Sequence, residues 1–134
     1  MNNYKDIEEI RDFIQGMTHS AKVSTEEMLE TTNTIPNVKM YLLKRTNEEG
    51  ETQYGVGGGA IPTDEIGKMV YNKIVPQIIE RDGYEILCTC ETTFSNGIIK
   101  VEFHNFVTDE KHQEVFDFTK PYQVSDLLSN LCLN

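Results

Sequence analysis

Between Tyr84 and Phe106 two alternating stretches flank Asn96-Gly97, and no other feature constrains the chain as tightly. Asn-Gly accepts the positive φ angles of a two-residue type I′ turn, whose twist matches that of the strands it joins. Setting Ser95 opposite Ile98 places Phe94 with Ile99, Thr92 with Val101, Cys90 with Phe103 and Ile86 with Val107 on one apolar face. The other face receives Thr93 with Lys100, Glu91 with Glu102 and Thr89 with His104. A slip of one residue would mix the two sets, so the register is specified. A sheet that is apolar on one side needs a cover, which the remaining chain has to provide.

Ile7, Ile10, Phe13, Ile14 and Met17 recur at three- and four-residue steps opposite Glu8, Glu9, Arg11 and Asp12, predicting an amphipathic first helix that closes near Gly16. Ser24 and Glu27 have capping-box spacing, so a short second helix is expected from Thr25 to about Thr31, broken by Asn33 to Asn37. Val38 to Arg45, the turn Asn47-Glu48-Glu49-Gly50 and Glu51 to Ile61 read as a first hairpin. Gly55, Gly57, Gly58 and Gly59 weaken its second strand and predict a bulge or bend there. Thr63 is the expected cap of a central helix with the apolar stripe Ile66, Met69, Val70, Ile74 and Ile78, kinked or restarted at Pro76 and ended by Gly83. A polar turn at Asp109 to Lys111 precedes a short edge strand, Glu114 to Phe118, and Ser125 caps a final helix with Leu127, Leu128 and Leu131 on its buried side. The expected fold is therefore α+β: one antiparallel sheet of about four to five strands, two hairpins plus a short edge strand, with helices packed on one face.

At 134 residues the chain fits one domain spanning 1–134. Twenty-two Asp and Glu against twelve Lys and Arg give a formal charge of -10, which argues against direct nucleic-acid binding and against an anionic membrane surface. The N-terminus lacks the basic and apolar regions of a secretory signal, and no apolar run approaches a bilayer span. Cys88, Cys90 and Cys132 make an odd count, and free thiols in a reducing cytoplasm fit best.

The chemical motifs fail on context. Gly55-x-Gly57-x-x-Ala60 matches the dinucleotide fingerprint in form, but Ile61 and Pro62 separate it from the next helix, and the parallel strand-helix-strand repeat is missing. Cys88 and Cys90 fall on the apolar face and His104 on the other, so the three cannot converge on a metal or form a nucleophile-base pair. His19 and His112 sit in connections without a recognisable partner. No catalytic residue, metal ligand or cofactor is assigned.

Charge is the more informative signal. Glu48, Glu49, Glu51, Asp64 and Glu65 occupy loop and helix-start positions between Thr46 and Ile66 with no basic residue among them, and Glu91 faces Glu102 across the second hairpin. Ordinary solubilisation explains such acids; so does an acidic surface that steers a basic protein partner.

Three stretches carry a resemblance. They are Ala60-Ile61-Pro62 before an acidic helix start, the helix end Asp82-Gly83-Tyr84-Glu85, and Ser95-Asn96-Gly97-Ile98-Ile99-Lys100-Val101-Glu102-Phe103. Over residues 4 to 107 the layout resembles the YezG-type toxin-immunity family, although members commonly place a Trp before the third strand and an aromatic after the turn glycine. This chain has no Trp and puts Ile98 there. The resemblance implies a cytoplasmic protein that neutralises a basic toxin domain, often a nuclease, by binding it without catalysis. The contact surface expected on that basis comprises Glu48, Glu49, Glu51, Asp64 and Glu65, then Glu91 and Glu102, with Tyr41 or Tyr54 as aromatic anchor. Two other functions stay open: an anti-defence protein whose carboxylates imitate DNA, and a ligand-binding domain or enzyme using the Gly55 to Gly59 segment.

Overall fold

A computed structural model describes residues 3–30, 37–95 and 97–117. In chain order the elements are α1 (Asn3–Glu30), β1 (Val38–Thr46), β2 (Thr52–Ala60), α2 (Glu65–Arg81), β3 (Glu85–Ser95), β4 (Ile98–Asn105) and β5 (Glu110–Asp117). The class is α+β, and the strands form one antiparallel sheet in the order β2-β1-β3-β4-β5. The final helix expected from Ser125, with Cys132, lies outside the described residues.

The second hairpin has the expected register from Ser95↔Ile98 to Cys88↔Asn105. Paired residues share a face, so the ladders sort the whole sheet. Met40, Leu42, Cys88, Cys90, Ile99, Val101, Phe103 and Phe116 look to one side, where Ile10, Phe13 and Ala21 of α1 close the core over them. Burial of this face supplies the main stabilisation, roughly 1.5–3 kcal/mol per large apolar side chain removed from water.

The reverse face carries Lys39, Tyr41, Thr89, Glu91, Glu102 and His104, and α2 does not join α1 but lies over this side. Lys39 Nζ donates to Asn72 Oδ1 at 2.9 Å, and Lys68 Nζ meets Glu91 Oε2 at 2.9 Å. Tyr41, 1% exposed, is buried beside Tyr71 under the helix. The apolar stripe of α2 is thus not a core stripe. None of its residues is buried, and Ile66 and Met69 are 76% and 71% exposed.

Four local expectations change. The N-terminal region is one 28-residue helix that runs through Gly16 and Ser24. A glycine inside a helix costs only about 1 kcal/mol against alanine, and Phe13, Ile14, Met17 and Ala21 packing on both sides of it offsets that. Asp64, not Thr63, caps α2, its carboxylate accepting from Gly67 N at 2.8 Å, and the helix continues through Pro76 without a break in assignment. The expected irregularity in β2 is absent from its ladder with β1; it occurs instead between β1 and β3, where Leu42 pairs with Cys88 and Leu43 with Ile86. Leu87 is the extra residue, which buries Leu87 and Cys88 together and swings Ile86 to the reverse face, so Ile86 does not pair with Val107. Finally, β5 begins at Glu110, because Asn105 Oδ1 accepts from Val107 N at 2.9 Å and Thr108 N at 3.3 Å and turns the chain earlier.

One polar group anchors α1. Asp6, 5% exposed, accepts from Tyr54 OH at 2.6 Å and from Lys44 Nζ at 3.0 Å, tying the first helical turn to β1 and β2. Burial, and then the bond to Asp6, push the Tyr54 hydroxyl up to about 12.

Two outcomes follow from these contacts. In urea denaturation, Ile99→Ala loses about 3 kcal/mol while the neighbouring, exposed Ile98→Ala stays within about 0.5 kcal/mol; equal losses would refute the assigned faces. Tyr54→Phe is less stable than the parent by about 1 kcal/mol near pH 8, a hydrogen-bond value reduced for partial solvent access. A folded pKa above the unfolded one means that this contribution is fully present below about pH 10 and fades as pH rises through 12. The gap between the two proteins therefore narrows across that window.

Candidate functional site

The glycine run of β2 builds the most unusual surface. Gly58 has φ +135, and a Cβ there would run into the Lys39 carbonyl oxygen and sit 2.9 Å from Met40 Cα, so glycine is required for β2 to lie against β1. The other three serve a different end. Gly55, Gly57 and Gly59 pair with Leu43, Tyr41 and Lys39 and therefore share the reverse face with them. Nothing lies within 4 Å of a Cβ added at Gly55 or Gly59. Among the described residues the floor at these two positions is bare backbone facing open space, while a Cβ at Gly57 would meet Leu43 Cδ1 at 3.5 Å.

Beside that floor stands α2. Its Asn72, Pro76 and Glu80 form one row at four-residue steps, turned toward β3 and β4, where with Tyr41, His104 and Phe106 they line a cleft of about 630 Å³. Val70, Ile74 and Ile78 form another such row, which at 100° per residue lies about 160° around the helix from the first and points away from the cleft. These three are 45–50% exposed. The glycine floor and this apolar row lie on the same, reverse side of the sheet, and together they are termed the shelf.

The acids fall at both ends of the shelf. Glu48, Glu49 and Glu51 are exposed around the β1–β2 turn, which Asn47 shapes by accepting from Glu49 N at 3.0 Å and Glu51 N at 2.8 Å. Asp64 and Glu65 are exposed beyond the other end of β2. At about 3.3 Å per residue the strand separates the two groups by about 26 Å, so they do not form one patch. Glu91 is engaged by Lys68, and Glu102 by Lys100 at 3.1 Å, so the pair expected to repel is neutralised from two sides. Neither tyrosine offers a free ring: Tyr41 is buried under α2 and Tyr54 is held by Asp6.

The remaining groups with chemical potential are held apart or occupied. Burial pushes the Cys88 thiol up to about 12 and that of Cys90 to about 11, so both are protonated at neutral pH. His104 lies across the sheet from them, with Nε2 2.8 Å from Asp109 Oδ1 and its ring 4.1 Å from that of Phe106. The hydrogen bond to His104 lowers the Asp109 pKa. Lys39, which also lines the cleft, has its pKa lowered by burial and is bonded to Asn72. Among the described residues no cluster of His, Cys, Asp and Glu has the arrangement of a metal site, and no helix is long and apolar enough to cross a membrane.

Comparisons with family models, with curated proteins and with solved structures give no match.

The shelf was not foreseen. The sequence offers two signals for it: a strand of nine residues without one charge, and a helix with Lys68 and Asn72 on the side opposite to much of its apolar stripe. A glycine series separates the two roles. Gly58→Ala loses at least about 2 kcal/mol in chemical denaturation, through a positive φ and a backbone clash, whereas Gly55→Ala remains within about 0.5 kcal/mol of the parent. Equal losses would mean that the floor is already occupied.

Proposed function

We propose that the chain is an acidic cytoplasmic binding protein that neutralises a basic protein partner, of the toxin-domain type, by direct contact. The observation that carries this reading is the state of its acids. Glu48, Glu49, Glu51 and Glu65 are exposed and have no ion-pair partner among the described residues. The nearby Arg45 lies 5.4 Å from the Tyr84 ring instead of pairing with them. Uncompensated surface charge of one sign accelerates encounter with a partner of the other, and this acceleration falls steeply with salt.

A toxin that acts on nucleic acid needs a basic groove for phosphates, and a small acidic protein can occupy such a groove without any catalytic residue of its own. Glu91 and Glu102 contribute less, because each already has a lysine. Separation of the remaining acids into two groups favours this reading over a DNA-like row of carboxylates on one face. The glycines, being part of a paired strand, do not cradle phosphates in the way a glycine-rich loop at a helix N-terminus does.

The test is co-expression with the product of the adjacent open reading frame, followed by stopped-flow association at two ionic strengths. The triple variant Glu48→Lys, Glu49→Lys, Glu51→Lys is expected to associate at least about tenfold more slowly at low salt. Unchanged association together with unchanged protection from toxicity would refute the surface.

A further inference from the structure

Among the described residues β2 and β5 are the two edges of one sheet, and they are built differently. β5 reads Glu-Lys-His-Gln-Glu-Val-Phe-Asp, with Glu110, Lys111, Glu114 and Asp117 charged. Such charges are how natural sheets prevent further strands from adding. β2 has no charge and no proline in nine residues, pairs with β1 in an unbroken register, and presents its outer backbone groups at the end of the sheet. By the same criterion it is, among the described residues, an unprotected edge.

We propose that β2 is the docking edge for an extended, basic-flanked segment of the partner protein, which adds to the sheet as a sixth strand. The inference rests on the binding-protein reading and specifies its mode. Backbone hydrogen bonds along an edge strand supply affinity, and alternate side chains of the added strand supply selectivity. Those pointing to the reverse face come down beside Gly55 and Gly59, where no described atom lies within 4 Å of an added Cβ, on the side of the sheet where α2 carries the half-exposed Val70, Ile74 and Ile78. Apolar residues at alternate positions fit that shelf.

Charge identifies the ends of the occupant. Glu48, Glu49 and Glu51 stand at one end of β2 and Asp64 and Glu65 at the other. A neutral, apolar centre with Lys or Arg on both sides complements this pattern. A second copy of the chain does not. Antiparallel pairing of two β2 strands about Val56 would bring Glu48, Glu49 and Glu51 of each copy against Asp64 and Glu65 of the other, charge against like charge.

The experiment uses the full chain and a synthetic nine-residue peptide with valine at alternate central positions, serine between them and two lysines at each end. A control peptide of the same sequence is N-methylated on alternate backbone amides, which keeps charge and side chains but blocks strand pairing. Binding is followed by calorimetry and by amide hydrogen exchange. The expected result is binding of the first peptide with slowed exchange along residues 52–60, loss of at least tenfold in affinity for the control, and a similar loss in Gly55→Val and Gly59→Val variants whose melting temperatures are not reduced.

Equal binding of both peptides, abolished by the charge reversals at 48, 49 and 51, would overturn strand addition and leave the charge-driven reading intact. Failure of every lysine-flanked peptide to bind would overturn both. Slow exchange along β2 in the free protein, with sedimentation showing either a monomer or a dimer, would also overturn the proposal, by showing the edge occupied by the chain itself or by a second copy.

Discussion

The pairing of Cys90 with Phe103 and of Thr92 with Val101 sets the parity of the whole sheet, and what lies on each side follows from it. Even-numbered residues of β1 and β3 join odd-numbered residues of β4 on the side closed by α1, and their opposites form a polar reverse face. With a side-chain period of two, every later choice is constrained: where α2 can rest, which β2 residues meet it, and which acids can approach one another. Among the described residues the Leu87 bulge is the single place where parity shifts, and it moves only the beginning of β3.

The consequence is a protein with two unequal halves. The α1 side is a conventional core, finished by Asp6 with its two donors. The α2 side is held by Lys39 with Asn72 and Lys68 with Glu91, and Lys68 is partly exposed, so its ion pair contributes no more than about 1 kcal/mol. Apolar side chains that could close a second core remain outside. Full burial of one such side chain is worth roughly 1.5–3 kcal/mol, so the shelf holds stabilisation that the described residues of the chain do not themselves use.

The hairpin about Asn96-Gly97 was legible because period, turn chemistry and burial agree there, residue by residue. The first hairpin and the α+β class were legible for the same reason. The Asp6 anchor was not, since its partners Lys44 and Tyr54 are far along the chain and nothing local marks a buried carboxylate. The apolar stripe of α2 was readable but pointed the wrong way: a helical period says which residues share a face, not which face meets the sheet. The two ends of the Glu48 to Glu65 stretch are close in sequence yet lie at opposite ends of β2, because an extended strand carries the chain further per residue than any other element. The glycines divide likewise into one that geometry requires, Gly58, and two, Gly55 and Gly59, that leave space.

The two-sided sheet depends on α2 lying across the reverse face with its apolar row outward. Methyl and aromatic nuclear Overhauser contacts test this directly in the full-length chain. The Tyr71 ring should show contacts to Tyr41 and none to Leu42 or Val101, and the Ile74 and Ile78 methyls should show none to the α1 core. Contacts from Ile74 or Ile78 to Leu42, Val101 or Phe103 would place the stripe inside and contradict the two-sided arrangement on which the open edge depends.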